Sequence, residues 1–326
     1  MKALRPSYEM KRYTLPQLLR LRAEHEGDRV ALREKDYGIW NEITYAQYYE
    51  NVLLFAHGLL SLGFGPGERL AVIADNIPEW LYAELGAQAV RGISVGVYQS
   101  SLPPEIAYML QYTGASVVLA EDQEQVDKLY EIRSEIPHVR YVIYEDEKGM
   151  RGYKDPWLLS FAEVLERGRE HRRKHPDAVE RLLLEASPEE VCHLSSTSGT
   201  TGRPKGAMLT HLGIVHSSLH YQIAMDLKAS DASIAAVPLS HVTGLIALIT
   251  TLTLVAGKLV IMPSFKAADF LVLAEREGMT HTLMVPAMYN LCLLQSDFDQ
   301  YNLSRWRIGA FGGAPMPVAT IERLAH

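Results

Sequence analysis

Short runs of aliphatic and β-branched residues alternate along this chain with longer stretches whose apolar positions recur at helical spacing. RLAVIAD (69–75) reads as a buried strand and IPEWLYAELGAQAVRG (77–92) as a helix, with SVGVYQ (94–99) as the next strand. PPEIAYMLQYTG (103–114) opens on prolines, which suit a first helical turn, and closes on Gly114. SVVLAE (116–121), QEQVDKLYEIRSE (123–135) and VRYVIYED (139–146) continue as strand, helix and strand. The second half repeats the alternation. SIAAVP (233–238), KLVIM (258–262), HTLMV (281–285) and WRIGAF (306–311) read as strands. LIALITTLTLVAG (245–257), AADFLVLAEREG (267–278) and PAMYNLCLLQS (286–296) read as the helices between them. Unbroken apolar strands separated by helices predict an α/β fold of stacked subdomains, with mostly parallel sheets covered by helices on both faces. The expected division is 1–190 with an N-terminal helix, then 191–326, and the charged stretch from about 163 to 190 reads as the linker.

Composition narrows the function classes. The 326 residues are 48% hydrophobic and 22% charged, which is globular composition with room for a large core. A net charge of -7 argues against a nucleic-acid partner, since polyanion binding needs a basic footprint. The most basic stretch, Arg167 to Lys174, is interrupted by Glu170 and reads as a solvated helix face. Cys192 and Cys292 are too few and too far apart for a metal motif or a disulfide framework. The N-terminus shows no signal-peptide pattern. The longest apolar stretch, Val242 to Val255, carries four threonines and is divided from LVIM by Gly257-Lys258, so it reads as a buried helix and strand. The expectation is a cytoplasmic protein with no transmembrane segment, with peripheral membrane attachment and a homodimer both left open.

The chemistry concentrates in one segment. Thr197-Ser198-Gly199-Thr200-Thr201-Gly202-Arg203-Pro204-Lys205-Gly206 packs four hydroxyls, three glycines and two cations into ten residues after a strand-like VCHLS. Glycines let backbone N–H groups approach an anion, hydroxyls add adaptable donors, and Lys205 supplies a point charge suited to phosphate oxygens. Such a loop is an anion-binding nest. Its spacing is not that of a Walker A loop, because Arg203 and Pro204 separate Gly202 from Lys205 and no Ser or Thr follows the lysine. The exit through Pro204-Lys205-Gly206 reads as leading directly into a helix opened by His211, a structural histidine.

The segment resembles the signature loop of the adenylate-forming superfamily, which includes acyl-CoA synthetases, peptide-synthetase adenylation domains and firefly luciferase. The match runs from Thr197 to Gly206, with Ser196 where an aromatic residue is common. The resemblance implies that Thr197, Ser198, Gly199, Thr200, Thr201, Gly202 and Lys205 wrap the β- and γ-phosphates of ATP. Thr200 would have a role toward Mg2+ through the ATP, and Lys205 a catalytic one. Val237-Pro238-Leu239-Ser240-His241-Val242-Thr243-Gly244 is similar to a second motif of that superfamily. Its histidine lies beside the carboxylate to be adenylated, which implies a catalytic and substrate-binding role for His241 and a substrate-binding role for Gly244. Ser240 replaces the usual aromatic residue. Gly312-Gly313-Ala314-Pro315 is similar to a third motif, which lines the adenine and acyl sites and implies binding roles for Gly312, Gly313 and Ala314.

The implied reaction joins a carboxylic acid to coenzyme A with ATP, through an acyl-AMP. PLSHVTGL holds no acid to pair with a substrate amine, so a plain carboxylic acid is expected, and the ITYAQYYENVLLFAHGLLSLGFGPGERLAVIADNIPEW run favours a fatty acid over an aryl acid. Later motifs of the superfamily, Y-G-x-T-E and T-G-D among them, do not occur, nor does the small lysine-bearing domain. The expectation is therefore a truncated N-terminal part covering roughly three fifths of a typical member, inactive in adenylation alone. A non-catalytic nucleotide-binding fragment and a peptide-synthetase adenylation domain stand as alternatives.

Overall fold

The structure is a computed structural model that describes residues 6–36, 38–197 and 203–325. Its elements follow in chain order: α1 (Leu15–Glu26), β1 (Val30–Asp36), β2 (Ile39–Thr44), α2 (Tyr45–Ser61), β3 (Arg69–Ile73), α3 (Pro78–Ala89), β4 (Ile93–Val97) and α4 (Pro103–Thr113). Next come β5 (Val117–Ala120), α5 (Gln123–Glu131), β6 (Tyr141–Tyr144), β7 (Leu158–Ser160), α6 (Phe161–Lys174), α7 (Ala178–Glu185), β8 (Val191–Thr197), β9 (Lys205–Thr210) and α8 (His211–Ala224). The last part holds β10 (Ala232–Ala235), a π-helical segment Thr243–Thr250 running into α9 (Thr251–Val255), β11 (Lys258–Ile261), α10 (Ala267–Arg276), β12 (His281–Met284), α11 (Pro286–Leu293), β13 (Ile308–Phe311) and α12 (Val318–Leu324). Local chemistry sets many of these boundaries. Thr14 with Gln17, and Thr44 with Gln47, form reciprocal capping boxes at the starts of α1 and α2. Prolines open α3, α4 and α11, and Gly114 closes α4 at φ +64°.

The strands form two layers of α/β structure. One sheet runs β7-β6-β5-β3-β4-β8-β9, parallel except for β9. A second runs β10-β11-β1-β2, and β12-β13 form a parallel pair. That pair sits beside β10, where the Thr280 N–H donates to the Ala232 carbonyl (2.9 Å) and the Ser233 hydroxyl to the His281 carbonyl (2.8 Å). Between and around the sheets lies a core that includes Trp80, Tyr45, Tyr48, Phe55 and Phe270, all less than 2% exposed.

The structure departs from the sequence pattern at four places. Sheet membership crosses the boundary expected at 190: β8 and β9 complete the first sheet, while β1 and β2 from the N-terminal region join the second. Pairing between distant strands is set by which edges are left open, and no local period reports it. The charged stretch read as a linker contains α6 and α7, and α6 packs tightly along α2. A Cβ at Gly168 would lie 2.0 Å from the Leu54 carbonyl oxygen, and one at Gly58 2.5 Å from that of Val164, so paired glycines let the two backbones touch. The loop exit does not enter a helix directly, because β9 intervenes, antiparallel to β8. The helix expected over 245–257 starts as a π-helix, where the hydroxyls of Thr250 and Thr251 donate to the carbonyls of Leu245 (2.9 Å) and Ile246 (2.7 Å). Among the described residues no helix is long and apolar enough to cross a membrane.

Candidate functional site

β8 ends on Thr197 and β9 begins on Lys205, and the two residues are register partners across the antiparallel ladder. The Thr197 hydroxyl donates to the Lys205 carbonyl oxygen at 3.3 Å. Ser198, Gly199, Thr200, Thr201 and Gly202, between them, lie outside the described residues. What is described is the frame, a parallel strand delivering the loop at its carboxyl end and an antiparallel return. The carboxyl ends of parallel strands are where ligands bind in open α/β sheets.

His241 reaches the same place from the second sheet. The chain leaves β10 and turns through Pro238-Leu239-Ser240 under the control of Asn76, which follows β3. The buried Asn76 amide donates to the carbonyls of Ala235 (2.8 Å), Val237 (3.1 Å) and Met262 (3.0 Å), and its oxygen accepts the Leu239 N–H at 2.9 Å. One side chain thus ties the end of the first sheet to the strand ends of the second. Gly96 on β4 lets the turn settle: a Cβ there would be 2.8 Å from the Ser240 carbonyl oxygen and 3.0 Å from its Cα.

The result is a cavity of about 1110 Å³ whose lining includes Gly96, Tyr98, Tyr108, Thr197, Arg203 and His241. The geometry of His241 defines its proton. Its Nδ1 accepts the Thr243 backbone N–H at 3.1 Å, and the Thr243 hydroxyl lies 3.0 Å from the same nitrogen. A backbone N–H can only donate, so Nδ1 holds the lone pair and the neutral ring carries its hydrogen on Nε2. His241 is exposed on the cavity, and partial desolvation lowers its imidazole pKa below the usual histidine value, which favours this neutral form at pH 7. His241 thus offers one N–H donor.

The other candidate residues are placed less centrally. Lys205 is exposed and sits beside the lining residues Arg203 and Pro204. Gly244 is buried under the turn, where a Cβ would lie 2.5 Å from the Pro238 carbonyl oxygen, and it does not line the cavity. Gly312, Gly313 and Ala314 follow the carboxyl end of β13, with Gly313 at φ +80° and the Gly312 N–H donating to the Met284 carbonyl at 3.4 Å. They too lie outside that lining. His211 opens α8, as the sequence predicted, and is structural: its Nδ1 accepts the Leu15 N–H at 3.2 Å, and burial pushes its pKa down to about 3. Asn76, Gly96, Tyr98 and Tyr108 were not singled out by the sequence. Their only signal was position: Asn76 just after a predicted strand, Gly96 and Tyr98 within one, and Tyr108 in the helix that follows it.

Among the described residues, no three His, Cys, Asp or Glu side chains come together in a way that would hold a metal ion.

Residues 19–326 match the AMP-binding enzyme family, and the chain belongs to it. Among its relatives is the long-chain-fatty-acid–CoA ligase ACSBG2 of Xenopus laevis, 30% identical over 237 residues, which are 70% of this chain and 31% of that protein. In fold it is similar to a Mycobacterium tuberculosis fatty acyl CoA synthetase (TM-score 0.78, 24% identity, 98% of this chain and 58% of that one). It is also similar to the anthranilate CoA ligase AuaEII in complex with anthranoyl-AMP (TM-score 0.82, 23% identity, 95% and 57%). The chain thus spans about a third of the curated relative and under three fifths of either solved chain.

Proposed function

We propose that this chain is the nucleotide- and acid-binding portion of an ATP-dependent carboxylic acid–CoA ligase, with a fatty acid as the acid. The observation that carries this reading is the meeting of Thr197 and His241 on one cavity, delivered from two different sheets. Membership of the AMP-binding enzyme family and the fatty-acid ligase among the relatives support it.

In this reading the acid's carboxylate oxygen attacks the α-phosphorus of ATP, and the bond to the bridging oxygen of pyrophosphate breaks, giving acyl-AMP. The thiol of coenzyme A then adds to the acyl carbon and AMP departs. The protein's share is positioning and charge stabilisation. Lys205 and the hydroxyls from Thr197 onward, those of Ser198, Thr200 and Thr201 among them, meet the terminal phosphates. Gly199 and Gly202 let backbone N–H groups approach them. The His241 Nε2–H donates to one carboxylate oxygen and aims the other at phosphorus. Gly312, Gly313 and Ala314 belong to the adenine side of the site. In this reading residues 1–326 by themselves bind ATP and the acid without turning over.

ATP–pyrophosphate exchange across a panel of fatty and aryl acids tests both halves, run on residues 1–326 and on the reading frame that contains them. Exchange driven by medium or long fatty acids in the longer protein, and none in the isolated chain, is the expected result. Exchange by the isolated chain overturns the binding-only role, and a flat response to every acid overturns the ligase.

A further inference from the structure

Beside the phosphate loop, α4 presents two tyrosines one helical turn apart, and neither has a part in the chemistry above. The Tyr108 hydroxyl donates to the Pro204 carbonyl at 3.0 Å. The guanidinium carbon of Arg203 lies over the Tyr108 ring, 5.1 Å from its centroid. Tyr112 stacks on Tyr108 with centroids 5.6 Å apart and planes 16° from parallel, and a Cβ added to Gly206 would sit 3.4 Å from the Tyr112 ring. Three residues of the loop exit, Arg203, Pro204 and Gly206, therefore rest on one aromatic ledge.

We infer that Tyr108 is a positioning residue for the nucleotide site: it holds Arg203 and Pro204 against α4, so that Lys205 is the cation left to meet the phosphates. The inference rests on the reading of Thr197–Gly206 as a phosphate loop. Its chemistry is specific. Proline has no N–H, so the Pro204 carbonyl is the backbone handle available at that residue, and Tyr108 takes it. A guanidinium is weakly hydrated and lies well on an aromatic face, whereas an ammonium prefers water or phosphate oxygen. Two cations two residues apart are thus sorted, Arg203 onto the ring and Lys205 to the start of β9 opposite Thr197. Tyr112 braces the Tyr108 ring from the next turn of α4.

Two measurements on the whole chain test this, each on wild type, Tyr108→Ala, Tyr108→Phe, Arg203→Ala and the double variant Tyr108→Ala/Arg203→Ala. The first is affinity for a fluorescent ATP analogue. The second needs no ligand: the rate of tryptic cleavage after Lys205, the Arg203–Pro204 bond being resistant to trypsin. Tyr108→Ala is expected to weaken nucleotide binding about tenfold, with Tyr108→Phe, which keeps the ring under Arg203, weakening it about threefold. Tyr108→Ala should also speed cleavage, and Tyr108→Phe should restore most of the protection. The double variant should bind no worse than Tyr108→Ala alone, because Arg203 acts through the ring. If Arg203→Ala costs as much affinity without Tyr108 as with it, Arg203 contacts phosphate itself and the inference falls. It falls equally if Tyr108→Ala, shown by thermal unfolding to be folded, changes neither binding nor cleavage. If wild type binds no nucleotide, the phosphate-loop reading fails, and the cleavage rates alone then decide whether Tyr108 holds the exit.

Discussion

Gly96 on β4 lies so close beneath Ser240 that a Cβ there would stand 2.8 Å from the Ser240 carbonyl oxygen. This contact packs the first sheet against the turn from the second that carries His241. Gly96→Ala should force the Ser240–His241 turn outward. Such overpacking costs about 1–3 kcal/mol. The expected outcome is a lower melting temperature together with weaker binding of the acid. An unchanged melting temperature would show that the turn yields freely.

Asn76 makes the junction from the other side, and its amide is matched to its surroundings: N–H donors against three carbonyls and an oxygen against the Leu239 N–H. Asn76→Ala leaves those buried groups unpaired and should destabilise the protein by about 2–4 kcal/mol. Asn76→Asp keeps the shape but replaces the donor with a second acceptor facing carbonyl oxygens, so it should be the worse of the two. Denaturant unfolding of both variants checks the order, and an aspartate as stable as the wild type would contradict the hydrogen-bond assignment.

Lys205 and His241 should separate in binding. Lys205→Ala removes a cation proposed for the phosphates and should weaken ATP by about tenfold or more. His241→Ala should leave ATP affinity unchanged and weaken the acid. Because partial desolvation lowers the His241 pKa below its usual value, acid binding through its Nε2–H should be flat from pH 7.5 to 8.5. Calorimetric titration with each ligand reads all three. A loss of ATP affinity in His241→Ala would assign that side chain to the nucleotide instead.

Two sets of groups, half-buried carboxyls and buried histidines, pull stability in opposite directions with pH. Burial pushes the carboxyls of Glu79 and Glu121 up to about 7 and that of Glu145 to about 8, with neighbouring carboxylates adding to the effect. From an unfolded value near 4.5, each holds more protons folded than unfolded as pH rises, so stability falls until the folded value is passed. Burial pushes His57 and His281 down to about 4 and His211 to about 3, below the usual 6.5. These histidines bind protons more readily when unfolded, so stability falls as pH drops below 6.5. Between 4.5 and 6.5 the sets oppose each other, and above 6.5 only the carboxyls act. The melting temperature should therefore decline from pH 6.5 to 8, and Glu145→Gln should flatten the upper end of the decline. A wild-type melting temperature that holds level across that interval would refute the assignment.

Most elements of the fold were legible in the sequence because they are local. Apolar runs such as RLAVIAD and KLVIM appear as β3 and β11, and the proline starts at 78, 103 and 286 appear as helix starts. The candidate loop was legible because its chemistry is contiguous: hydroxyls, glycines and a lysine must be neighbours to surround one phosphate group. The hairpin of β1 and β2 was not read, since its pattern includes exposed and half-buried positions that carry no clear period.

The sequence alone determined the strand and helix order, the choice of Thr197 to Gly206 as the candidate phosphate loop and the resemblance to the adenylate-forming superfamily. Only the tertiary structure decided that β8 and β9 close the first sheet, that β1 and β2 cross to the second, that Asn76 ties down the turn before His241, and that Gly96 and Tyr108 line the cavity. The reason is physical. A side chain's hydrogen-bond partners, or the backbone a missing Cβ admits, lie far away along the chain, and nothing local encodes which distant carbonyl or ring will arrive there.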